Sequence, residues 1–152
     1  MLRRLCLVAL VLYGLVVSAV TLSPNLGGPG PSSNWVPLAS LRPTFENLWA
    51  VATHPEYFQY IDKGAIAQLA GNVLLFVPLG WLLPVLWSKL RSPMRVIALA
   101  ALISLAIEIC QLLIVRGRMS TIDDVFLNCL GAFIGIKTFL IATDRLGKTT
   151  SL

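Results

Sequence analysis

The sequence predicts an all-α membrane protein: a bundle of four transmembrane helices with an outward-facing loop or interfacial helix after the first. Three observations predict it. The 152 residues are 57% hydrophobic and only 12% charged, with a mean hydropathy of +0.80, which is more apolar surface than a soluble domain of this length can hide. The apolar residues are grouped in four runs of roughly 18 to 22, the length that a helix rising ~1.5 Å per residue needs to cross a ~30 Å hydrocarbon core. The basic residues stand at the ends of those runs, where they set topology.

The first run is Leu5 to Leu22, preceded by Arg3 and Arg4. Val17, Ser18 and Ala19 are small residues of the signal-cleavage type, but the apolar stretch exceeds the ~7 to 15 residues of a signal core, which favours an uncleaved anchor. Removing it would leave three spans with their loops on the same sides. Ser23 to Ser33 is rich in Gly, Pro and Ser, resists regular structure and reads as a flexible connector. Beyond it Phe45, Leu48, Trp49 and Ala52 recur at helical spacing, and Trp35, Tyr57, Phe58 and Tyr60 are aromatics of the headgroup layer. This segment is expected on the outer surface, as a plain anchor or as a lid over a ligand.

The second run, Ile66 to Trp87, contains Pro78 and Pro84, each removing a backbone donor and expected to bend the helix. The third is Val96 to Val115. The fourth starts near Ile122 and fades after Ile141, and its Gly131 and Gly135 form a small-xxx-small pattern suited to close helix packing within the bundle or in a dimer. Residues 1–142 then form the transmembrane domain and 143–152 a cytoplasmic tail. Arg3 and Arg4, then Lys89, Arg91 and Arg95, then Lys137, Arg145 and Lys148 all place both termini and the second-to-third link in the cytoplasm. The stretches 23–65 and 116–121 face outward, the latter carrying Arg116 and Arg118 against the trend.

The net charge of +5 does not point to nucleic acid, because the basic residues form no patch. Cys6, Cys110 and Cys129 lie inside apolar runs with no CxxC spacing, and His54 is the only histidine, so neither a disulfide framework, a metal site nor a cofactor is expected.

The informative residues are polar ones inside the spans, where a charged side chain costs about 2.5 to 3.5 kcal/mol on insertion scales and so faces the bundle interior or a wet cavity. Gln68 and Asn72 are spaced i, i+4; Ser104, Glu108 and Gln111 are i, i+4, i+7; Asp124, Asn128, Gly131 and Gly135 are i, i+4, i+7, i+11. Each helix carries one polar or small stripe. Asn72, Glu108 and Asn128 each fall about two turns below the outer end of their helix, which implies a polar cluster in the outer half of the membrane with Arg116 and Arg118 at its mouth. Plainer roles compete. Asp123 and Asp124 follow Ser120 and Thr121 and suit a capped first turn, and Asn72, Gln111 and Asn128 would serve as interhelical hydrogen-bond partners worth about 0.6 kcal/mol each. Glu108 should pair with Arg118 or Arg116, or be protonated.

At these residues the chain resembles the VanZ family of small bacterial membrane proteins. The resemblance is carried by Asn34 with Pro37; Asn72, Phe76, Pro78 and Gly80 in GNVLLFVPLG; Glu108 and Gln111 in IEICQLL; and Arg118, Asp123, Asp124, Asn128, Gly131 and Gly135 in RMSTIDDVFLNCLGAFIG. It runs from the first helix to Gly135. Where the family commonly has an acidic residue this chain has Thr121, which leaves two carboxylates there. The resemblance implies a multi-pass protein of the bacterial cytoplasmic membrane and a link to low-level resistance to the glycopeptide teicoplanin, but no known reaction.

Three functions fit. The first is non-enzymatic binding of a polar or anionic group of a cell-envelope lipid or precursor at the outer leaflet, with Arg116 and Arg118 meeting the anion, Asn72, Gln111 and Asn128 supplying neutral hydrogen bonds, and Glu108 and Asp124 holding the arginines. The second is an intramembrane enzyme with Glu108 and Asp124 as acid and base, although an activated nucleophile with a His partner, a metal cluster and a phosphate-cradling loop are missing from the sequence. The third is a structural assembly partner whose polar cluster fixes helix register.

Overall fold

The computed structural model describes residues 2–21, 33–34, 36–38, 41–114 and 120–149. The connector expected over Ser23 to Ser33 falls almost wholly outside them, as do Trp35, Arg116 and Arg118. Among these described residues there are five α-helices: α1 Leu2–Thr21, α2 Leu41–Thr53, α3 Lys63–Leu86, α4 Pro93–Ile114 and α5 Ile122–Thr149. Four of these, over Arg4–Thr21, Lys63–Leu86, Pro93–Leu113 and Ile122–Arg145, are long and apolar enough to cross a membrane. A 3-10 segment, Pro55–Tyr60, joins α2 to α3, and another, Ser88–Leu90, precedes α4.

Local chemistry sets the boundaries. Asp62 caps α3, its Oδ1 accepting from the backbone N of Gly64 at 2.9 Å and of Ala65 at 3.1 Å. Pro93 opens α4, where its missing N–H has no helical partner to lose. Thr121 caps α5 by accepting from Asp124 N at 3.3 Å. The last helix runs on to Thr149, past the fading apolar pattern, because its final turns carry polar side chains that a helix tolerates beyond the hydrocarbon. α3 is assigned as one helix through both Pro78 and Pro84.

α3 and α5 run parallel and form the central contact: Val73, Val77 and Gly80 of α3 meet Gly131, Gly135 and Ile136 of α5 in ascending order. A Cβ on Gly80 would lie 2.7 Å from Ile136 N and 2.8 Å from Gly135 Cα, and one on Gly131 or Gly135 would strike the backbone of Val73 or Val77. The small-residue pattern therefore serves packing inside the bundle. α4 runs antiparallel along α5, with Glu108, Ser104 and Ile97 beside Thr121, Asn128 and Cys129. The apolar core joins Phe76, Leu79 and Leu83 of α3 to Val96 and Ala100 of α4 and Ala132, Ile136 and Phe139 of α5. Trp81 meets Phe139 edge-on at 5.6 Å.

α1 is the peripheral helix. Val8, Val11, Leu12, Leu15 and Val16 are exposed, and it is tied to α3 by the Tyr13 hydroxyl, which donates to the Leu75 carbonyl at 2.6 Å. Exposed Leu74, Leu102 and Leu113 on the other spans continue the apolar surface that such a bundle presents to acyl chains.

One end of the bundle carries a two-residue parallel ladder, with β1 (Ser33–Asn34) pairing Ser33 with Ser120 and Asn34 with Thr121 of β2 (Ser120–Thr121). This ladder end gathers the C-termini of α1 and α4, the N-termini of α3 and α5, and α2.

Candidate functional site

The polar residues singled out within the spans, Gln68 excepted, meet at the ladder end. Ser104, Glu108, Gln111, Thr121, Asp123, Asp124 and Asn128 are all buried, and Asn72 is half-buried. Helical spacing puts each on the interior face of its helix, and the partners are then found across helices rather than along them.

The Asn72 amide donates to Asp124 Oδ1, joining α3 to the first turn of α5. Glu108 Oε2 accepts from the backbone N of Thr121 at 3.1 Å, so α4 holds the strand that leads into α5. The Gln111 amide donates to the Thr21 carbonyl at 2.7 Å, satisfying one of the carbonyls that the end of α1 leaves without a helical donor. Asn128 Nδ2 donates to Ser104 Oγ at 2.7 Å one turn deeper. All four spans thus contribute. The set forms two layers rather than the single depth the sequence suggested: Asn72, Asp124, Glu108, Thr121 and Gln111 nearer the ladder, with Asn128 and Ser104 below.

Asp123 and Asp124 are neighbours in sequence, about 100° apart around a helix, and they do different work. Asp124 lies on the stripe with Asn128. Asp123 reaches across to the start of α2: its Oδ1 accepts from Leu38 N at 2.6 Å and its Oδ2 from Leu41 N at 3.3 Å. It therefore holds the start of α2 and the preceding turn, where Leu38 adopts a left-handed φ of 65° that is uncommon for a side chain of this size. Nothing in the sequence pairs Asp123 with residues some 80 positions earlier. The cap expected at the start of α5 is supplied by Thr121, the position at which this chain departs from the family's acidic residue.

Asn128 Oδ1 is buried without a hydrogen-bond partner among the described residues. Turning the amide over would exchange the unpaired oxygen for an unpaired nitrogen, since Ser104 reaches only one end.

The sequence also left unread a cleft between α2 and the start of α3. One cavity, about 210 Å³, lies between Thr44 and Asn47 of α2 and Asp62 and Ile66 at the start of α3. A smaller one, about 90 Å³, shares Thr44 and Ala65 with it and reaches Gln68, Asp123 and Asp124. Gln68, exposed toward this space, is separated from the Asn72–Asp124 pair by a single helical turn. Arg116 and Arg118 lie outside the described residues, so their expected pairing with Glu108 does too. Among the described residues, no group of three His, Cys, Asp or Glu is placed to hold a metal ion.

Four apolar helices long enough to span a bilayer, with hydrogen-bonded polar side chains from three of them and a backbone carbonyl from the fourth drawn to one end, define a small multi-pass membrane protein built around an intramembrane polar cluster. The chain belongs to the VanZ/LLP1 family, which it matches over residues 3–143. Protein VanZ of Enterococcus faecium is 28% identical to it over 89 residues, covering 59% of this chain and 54% of that protein; the chain thus spans about half the length of this curated relative. No solved structure matches significantly.

Proposed function

We propose that this protein binds, without catalysis, the polar headgroup of a cell-envelope lipid or lipid-linked precursor at the outer leaflet of the bacterial cytoplasmic membrane. The single observation that carries the reading is the convergence of Asn72, Gln111, Glu108 and Asp124 from three spans, with the Thr21 carbonyl of the fourth, at the end of the bundle where Asp124 lines an open cleft. Polar groups inside a membrane are retained where they pair with one another or meet a polar ligand; this set does the first, and its Asp124 borders space for the second. The ladder end is the outer one in this reading: Arg4, Lys89, Arg91, Arg95 and Lys137 lie toward the opposite end, which the excess of basic residues assigns to the cytoplasm with both termini.

Arg116 and Arg118, a few residues before Thr121 in sequence, would meet a phosphate or carboxylate by the planar fork that suits such anions. Glu108 Oε2 and Asp124 Oδ1 are each engaged by a neighbour, Thr121 N and the Asn72 amide, which favours positioning over proton transfer as their task. Occupation of an envelope precursor in this way would also alter access of a glycopeptide such as teicoplanin, the phenotype that the family resemblance brings with it.

Lipid retained by the purified protein tests the proposal. Mass spectrometry should find a headgroup class enriched over the host membrane in the wild type and lost in Arg118→Ala at equal membrane abundance. Equal lipid on both proteins would refute the assignment of Arg118.

A further inference from the structure

The end of the bundle away from the ladder carries the opposite charge, in a fixed arrangement. Of the seven acidic residues only Asp144 lies toward this end, and none occurs between Asp62 and Glu108. The link from α3 to α4 presents Lys89, Arg91 and Arg95, all exposed, and none of the three is in an ion pair among the described residues. We propose that this link binds the phosphate of an anionic phospholipid in the inner leaflet, with an acyl chain lying along α4. The inference concerns the opposite end from the headgroup site and shares with that reading only the orientation that names the leaflet.

The first support is the order in the link. Basic residues that only set orientation need number, not arrangement, whereas these are held in place. Leu90, half-buried between Lys89 and Arg91, packs against the core. The backbone closes on itself, with Leu90 N donating to the Trp87 carbonyl at 2.8 Å and Arg91 N to the Ser88 carbonyl at 3.2 Å. Arg95 Nη1 donates to the Lys89 carbonyl at 2.8 Å, which sets the guanidinium beside Lys89 while using one of its five N–H donors and leaving the others for a phosphate.

The second is the surface below the charge. Arg95, Ala98, Leu102, Leu105 and Ile109 are spaced i, i+3, i+7, i+10 and i+14, which puts them on one face of α4, and all five are exposed. From Arg95 to Leu105 the helix rises about 15 Å, half of a ~30 Å hydrocarbon core. A guanidinium above one leaflet's depth of bare apolar side chains complements a phosphate above an acyl chain, which favours a lipid over a soluble phosphate. Exposed Trp87 and Met94 border the link, and Trp favours the headgroup layer.

The test uses the full chain in detergent, where both ends are open to added lipid and membrane orientation has no influence. Native mass spectrometry should find phosphatidylglycerol retained about tenfold over phosphatidylcholine, the scale on which a few juxtamembrane cations act. The ratio should fall to near parity in the double variant Lys89→Gln, Arg91→Gln, and Arg95→Gln alone should lower it as well. The double variant Arg42→Gln, Lys63→Gln removes the same charge at the ladder end and should keep the ratio. A ratio unchanged by the link substitutions, or lost equally in the ladder-end control, would overturn the inference. So would displacement of phosphatidylglycerol by an equal concentration of inorganic phosphate. A preference lost in Arg118→Ala but kept in the link variants would assign the lipid to the outer arginines, refuting this site while supporting the headgroup reading.

Discussion

The contact between α3 and α5 changes character along its length. Away from the ladder end it is dry and close: Gly80, Gly131 and Gly135 bring backbones together, flanked by Ala132 and Ile136 at 0% exposure. One to two turns away, at the ladder end, the same two helices are held by the Asn72–Asp124 hydrogen bond beside an open cleft. In lipid no hydrophobic force separates helix from tail, so close van der Waals packing carries association, while interhelical hydrogen bonds average only about 0.6 kcal/mol. The dry end can therefore hold the bundle together, and the wet end is left able to exchange partners with a ligand.

Removing packing should cost most. Phe76, 1% exposed at the centre of the core, should lose about 3–5 kcal/mol on substitution by Ala, read as a fall in unfolding free energy in a denaturing detergent titration. Adding volume to the dry end comes next: Gly131→Val places a side chain against Val73 and should cost about 1–3 kcal/mol, with a lowered melting temperature. Comparable stability in that variant would mean that α3 and α5 are not in backbone contact. Asp123→Ala leaves the N–H groups of Leu38 and Leu41 without an acceptor, worth about 1–3 kcal/mol but local to α2, so limited proteolysis should cut near residue 41 while the spans stay protected. The smallest effect belongs to the wet end. Asn128→Leu gives up the Ser104 bond and also an already unpaired amide oxygen, and should shift stability by no more than about 0.6 kcal/mol.

The dry end was largely legible in the sequence. Four apolar runs gave the spans, and the i, i+4 spacing of Gly131 and Gly135 marked a close helix contact, although it left open whether that contact lay within the bundle or between copies. The stripes through Asn72, Glu108, Gln111, Asp124 and Asn128 were legible for the same reason, because helical periodicity decides which side chains face inward. Their partners were not. That Glu108 accepts from Thr121 N, or Gln111 donates to the Thr21 carbonyl, depends on how distant segments dock, and backbone partners leave no mark in a residue pattern. For Asp123 the sequence offered a place in the ligand site or a plain one in the capped first turn of its own helix; its hydrogen bonds to Leu38 N and Leu41 N at the start of α2 were in neither reading. The cleft was invisible for a further reason: it lies between α2 and α3, and its walls of Thr, Ala, Ile and Asp have no shared periodicity.

The central claim is that the polar residues at the ladder end form a binding site rather than a fastening. The most direct measurement is the lipid retained by the folded triple variant Asn72→Ala, Gln111→Ala, Asn128→Ala, purified intact and weighed by native mass spectrometry. The account expects a folded protein that has lost about nine-tenths of its bound lipid, a tenfold drop. A variant that folds and keeps its lipid at the wild-type level, or one that cannot fold at all, would contradict it.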